Sequence, residues 1–101
     1  MATIQHSVVF RLKHGAGSVE EIDFLKATAV LAEISGVKNL RCLRQIGAKN
    51  DFSFGLSMEF DSQVDYDAYS EHEIHIRFVE TRWIPEVEAF MEIDYVPWEE
   101  G

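Results

Sequence analysis

"DFSFGLSMEF", Asp51 to Phe60, is the stretch on which the fold turns. Phe52, Phe54, Leu56, Met58 and Phe60 alternate with Ser53, Gly55, Ser57 and Glu59, and a period of two over this length marks a strand with one apolar face. Immediately before it, "GAKND" is a turn signal. Beyond that turn, Val37 to Ile46 mixes β-branched and apolar residues with Arg41 and Arg44, and reads as a second, less regular strand.

Further toward the N-terminus, Ser18 with Glu21 three residues later has the form of a capping box opening a helix. Ile22, Leu25, Ala29 and Ala32, with Phe24, Thr28 and Leu31 alongside, give that helix a wide apolar stripe, and Gly36 is placed to end it. Before "HGAG", residues Thr3 to Leu12 alternate again: Ile4, His6, Val8, Phe10 and Leu12 share one face. His6 is the polar member of that face.

Toward the C-terminus, Asp61 or Ser62 caps a second helical region that runs through Phe78 to Trp83, with a break expected near Glu71 to Glu73 and a further turn at Pro85. Phe90 to Val96 is the last expected strand. The order β-α-β-β-α-β predicts an α+β, ferredoxin-like sandwich: a four-stranded antiparallel sheet with its helices on one face. The other face, with Ser53, Gly55, Ser57 and Glu59, is then open, and a second subunit packing there is the natural cover.

The chain has 101 residues, which suits one domain over residues 1–101. Asp and Glu number 18 against 9 Lys and Arg, so the acidic surface disfavours nucleic acid as a partner. No apolar run approaches the roughly 20 residues that span a bilayer, and neither a secretory leader nor a pair of cysteines is present; a cytoplasmic protein is expected.

"YSEHEIHIRF", Tyr69 to Phe78, carries the candidate chemistry. On a helix Tyr69, His72 and His75 recur at spacings that bring them toward one side. His6 projects from the sheet face that the helices cover, so a tyrosine and several imidazoles are placed to converge between the layers. Such a set suits proton transfer, because imidazole titrates near neutrality and a phenol hydroxyl polarises a carbonyl oxygen. Val8, Phe10, Phe24, Phe78 and Trp83, with His72, are the expected lining of a small-molecule pocket there. No metal site is expected, since "HEIH" is one residue short of the H-E-x-x-H spacing. No cofactor is expected either, as no glycine-rich phosphate loop is present. His14, in the "KHGAG" turn, reads as solvated, and Cys42 as a buried thiol acting as a small hydrophobe.

"HSVVFRLK" at the start, "EISGV" after the first helix, "YSEHEIHIRFV" and "IDY" near the end together resemble the stress-responsive dimeric A/B barrel (Dabb) family. The family usually writes a proline straight after the first histidine of its Tyr-x-x-His-x-x-His run; here that position is Glu73. The resemblance implies a homodimer whose two sheets face each other as a dimeric α/β barrel. In some plant members of the family the corresponding histidines and tyrosine serve a polyketide aldol cyclisation. Carried over, His75 is the general base, Tyr69 holds the substrate oxygen and His6 supports them, as in a cofactor-independent cyclase, lyase or isomerase. Other members are stress proteins without established chemistry, which implies the alternative of a structural dimer whose cavity is filled by side chains.

Overall fold

The computed structural model describes residues 3–99. It runs β1 (Ile4–Leu12), α1 (Val19–Ala27), a 3-10 segment (Thr28–Glu33), β2 (Lys38–Arg44), β3 (Phe54–Phe60), α2 (Gln63–Glu71), α3 (Glu73–Phe78), a π-helical turn (Val79–Trp83), a single turn (Ile84–Glu86) and β4 (Val87–Tyr95). The strands pair antiparallel in the order β2-β3-β1-β4. This is the ferredoxin-like α+β arrangement that the element order predicts. Among the described residues no helix is long and apolar enough to cross a membrane.

β1 and β3 keep strict alternation, and their register sets Ile4, His6, Val8 and Phe10 opposite Phe60, Met58, Leu56 and Phe54 on the helix-covered face. Phe10, Phe24 and Phe60 are fully enclosed, each ring within 6 Å of another aromatic: Phe10 and Phe24 meet edge-on at 5.8 Å and Phe60 stacks on Tyr66 at 5.1 Å. Burial of one such side chain stabilises the fold by about 1.5–3 kcal/mol.

Ser18 caps α1 as expected: its Oγ accepts from the Glu21 backbone N–H while the Glu21 carboxylate accepts from Gly17 N–H. The stripe itself is narrower than its sequence suggests. Phe24, Thr28, Leu31 and Ile34 are buried, whereas Ile22, Ala29 and Ala32 are exposed. From Thr28 the helix tightens to three residues per turn, so positions at i and i+3 align and the buried row follows them. Gly36 then turns the chain with φ +95, a value that favours glycine.

The break between α2 and α3 falls at His72, whose backbone is extended (φ −68, ψ 140). It forms without proline. The His72 Nδ1 accepts the Ile74 N–H and so caps α3, and Glu73, first residue of that helix, pairs with Arg77 one turn on. β4 begins at Val87, three residues before the alternation expected at Phe90, because Val87 and Ala89 pair with Leu12 and Arg11 while Arg11 binds Glu88 at 2.6 Å. Two further expectations are corrected. His14 is not free in solvent but bonds Glu86 at 2.8 Å, and Cys42 is exposed because β2 is an edge strand.

A cavity between sheet and helices as candidate functional site

A cavity of about 240 Å³ opens between the two layers. Its floor is His6 and Val8 of β1, Leu56 and Met58 of β3, and Phe90 and Glu92 of β4. Tyr69 of α2, His75 and Phe78 of α3, Val79 and Trp83 of the π-helical turn, and Leu31 complete it from above. The wider turn at Val79–Trp83 sets these two residues, four apart, on the same wall; π-helical turns recur at functional sites.

His6, Tyr69 and His75, drawn from a strand and two helices, therefore line one space. The Tyr69 ring lies between the imidazoles, 4.5 Å from His75 and 6.0 Å from His6, centroid to centroid. His75 Nδ1 lies 3.0 Å from the Ser70 carbonyl oxygen. A carbonyl only accepts, so Nδ1 carries the proton and donates it there, and Nε2 is left with a free lone pair. Burial pushes the His75 proton affinity below the ordinary value of 6.5, against the opposing pull of the Ser70 carbonyl. At neutral pH the ring is a neutral base.

Tyr69 is only 3% exposed, and its hydroxyl has no hydrogen-bond partner among the described residues, yet no polar side-chain atom is sealed without a partner. The hydroxyl is thus open to the cavity. Burial first, and the Glu92 carboxylate second, hold its proton more tightly than in a free phenol. Tyr69 is a hydrogen-bond donor rather than a base.

His6, 6% exposed, is anchored differently. Its Nδ1 lies 2.5 Å from Asp94 Oδ1, and the Tyr66 hydroxyl, 3.0 Å from the same nitrogen, donates to Asp94 Oδ2 at 2.8 Å. Nδ1–H accordingly points at the carboxylate and Nε2 turns to the cavity. Burial, followed by the hydrogen bond to Asp94, also raises the Tyr66 proton affinity.

Of the other expected lining residues, Val8, Phe78 and Trp83 reach the cavity, while Phe10, Phe24 and His72 do not. Phe10 and Phe24 are spent on packing one layer deeper, and the His72 ring is turned back to the α3 backbone. Sequence reasoning missed Tyr66, Asp94, Glu92, Phe90 and the Ser70 carbonyl. Asp94 and Glu92 share the face of β4 that alternation assigns to Phe90, and the strand register sets them opposite His6 and Val8.

A family model described as Stress responsive A/B Barrel Domain matches residues 4–97. The chain belongs to the Dabb family. Among Dabb structures, one from Mesorhizobium loti, a Dabb family protein with a ferredoxin-like fold, is 49% identical, with a TM-score of 0.96 over 98% of this chain and 100% of that one. A stress-response A/B barrel domain-containing protein of Arabidopsis thaliana is 25% identical over 92% of this chain, which spans 36% of that protein's length. A hydroxynitrile lyase from Passiflora edulis shares the fold at 18% identity, with a TM-score of 0.79 over 98% of this chain and 96% of the lyase. Several solved neighbours below 25% identity are described as dimeric ferredoxin-like proteins of unknown function.

Proposed function

We propose that this Dabb protein binds and transforms a small hydrophobic carbonyl compound in the helix–sheet cavity by acid–base chemistry without a cofactor. One observation carries the reading: three side chains of complementary proton chemistry meet on one cavity, and the anchor on His75 leaves its Nε2 lone pair free. His75 takes a proton from the carbon beside the carbonyl, and the Tyr69 hydroxyl hydrogen-bonds the oxygen as negative charge grows on it. His6, whose Nδ1–H is held by Asp94, presents Nε2 as an acceptor for a hydroxyl or other donor substituent of the ligand. A lyase among the structural neighbours is in keeping with this chemistry, and the open volume weighs against a cavity filled by side chains.

The protein is also proposed to be a homodimer. Val9, Leu43, Met91, Ile93 and Tyr95 share the sheet face away from the helices, and Met91 and Tyr95 are 47% and 53% exposed on it. An apolar sheet face of this kind is covered most simply by its own copy, with the two sheets face to face as a barrel. Sedimentation at micromolar concentration returning only monomer mass contradicts the dimer.

The chemical reading is tested with His75→Gln, which keeps much of the size and removes the base. Activity found by screening aldehydes and ketones is expected to fall about 100-fold or more. Full activity in a folded His75→Gln protein overturns it.

A further inference from the structure

The cavity has a one-sided charge. Glu92 is the only carboxylate among its twelve lining residues, and no lysine or arginine is among them. The arginines of the helical layer are engaged elsewhere: Arg82 holds Glu86 and Asp23, and Arg77 holds Glu73. Glu92 stands opposite Val8 in the β1–β4 register and so shares the helix-side face of β4 with Phe90 and Asp94. Glu92 is exposed at the cavity rim, and among the described residues its carboxylate has no hydrogen-bond or ion-pair partner. Behind the larger effect of burial, its field reaches Tyr66, Tyr69 and His75, adding to burial at the two tyrosines and opposing it at His75. Asp94, bound to His6, adds a second negative charge at the same side.

We propose that Glu92 makes the cavity charge-selective: it admits carbonyl ligands that are neutral or that carry an ammonium group at the β4 end, and it rejects carboxylates. This rests on the carbonyl-binding reading for the ligand's position. In a space of 240 Å³ a bound carboxylate is never far from Glu92. At a separation of about 8 Å and an effective dielectric near 20, the repulsion weakens binding by about tenfold once solvent at the rim is allowed for. An ammonium group gains from the same field.

Two measurements test this. The first is binding of three matched probes, acetophenone, para-acetylbenzoate and para-(aminomethyl)acetophenone, followed by the NMR signals of His75 and the Trp83 indole. The carboxylate is expected to bind about tenfold more weakly than the neutral ketone, the ammonium probe at least as well, and Glu92→Gln to shrink the carboxylate gap to about threefold or less. Glu20→Gln removes the same charge from the exposed first turn of α1 and is expected to leave the gap in place.

The second needs no ligand. In a Trp98→Phe background, fluorescence reports Trp83 alone, and the ratio of iodide to acrylamide quenching is expected to rise about threefold in Glu92→Gln but not in Glu20→Gln. If acetophenone fails to bind while the iodide ratio responds to Glu92→Gln, charge selection stands and the carbonyl reading falls. If acetophenone binds and para-acetylbenzoate matches it, or the iodide ratio is the same in both variants, charge selection falls.

Discussion

His75 and His6 face the same cavity from opposite layers, and what holds each Nδ1–H sets them apart. His75 is anchored by a backbone carbonyl five residues earlier on its own helical region, whereas His6 is anchored across strands by the carboxylate of Asp94, which Tyr66 also binds. A carbonyl fixes a tautomer without adding charge, and burial then keeps the ring neutral. A carboxylate fixes the same tautomer but is also a counter-ion for an imidazolium. The geometry thus separates a ring held by an uncharged backbone group from one held by a charged side chain.

That contrast is broken most strongly at His75. His75→Gln is expected to lower kcat/KM toward a carbonyl substrate about 100-fold, whereas His6→Gln is expected to lower it no more than about tenfold, because in the proposed reaction only His75 removes a proton. Equal losses in a steady-state comparison would erase the distinction.

The His6 anchor is examined by Asp94→Ala. Loss of its hydrogen bonds to His6 and Tyr66 is expected to cost about 1 kcal/mol in urea unfolding. The Tyr66 hydroxyl, already 3.0 Å from Nδ1, is then free to donate to it, so ring nitrogen NMR should report a switch of His6 to the Nε2–H tautomer. Adding Tyr66→Phe should abolish the switch. A His6 tautomer unmoved by Asp94→Ala means that the carboxylate does not set it.

The smallest effect is expected at the helix break that positions His75. Glu73 is the first residue of α3, where proline is tolerated, and His72 before it already has the extended backbone that a following proline requires. Glu73→Pro loses only the exposed pair with Arg77 and should change unfolding free energy by less than about 0.5 kcal/mol. A loss above 2 kcal/mol would mean that the Glu73 side chain, rather than the His72 cap, holds the break.

Much of the scaffold was legible because its signals are local. The alternation at Ile4–Leu12 and Phe54–Phe60 follows from the pleat, and the caps at Ser18 and at Asp61 or Ser62, of which Ser62 is the one formed, follow from the need of helix N–H groups for acceptors. The site was legible only in part. Periodicity tells which face of a strand a residue takes but not how deep it sits, so Phe10 and Phe24 read as lining although they are core. Asp94 and Glu92 depend on the β1–β4 register, and β4 starts in Val87–Ala89, where nothing local marks a strand. The Ser70 carbonyl is a backbone group that no sequence motif names.

In the proposed reaction His75 is a neutral base whose Nδ1–H is bound to the Ser70 carbonyl. The folded ring binds its proton less tightly than the unfolded chain, so the native state binds fewer protons below pH 6.5: its contribution to stability is complete above that value and is lost as pH falls through the lower folded value. The most direct measurement is a pH titration of the His75 ring nitrogens by NMR in the folded protein. The account predicts the Nδ1–H tautomer near neutral pH and a midpoint below 6.5. An Nε2–H tautomer, or a midpoint at or above 6.5, contradicts it.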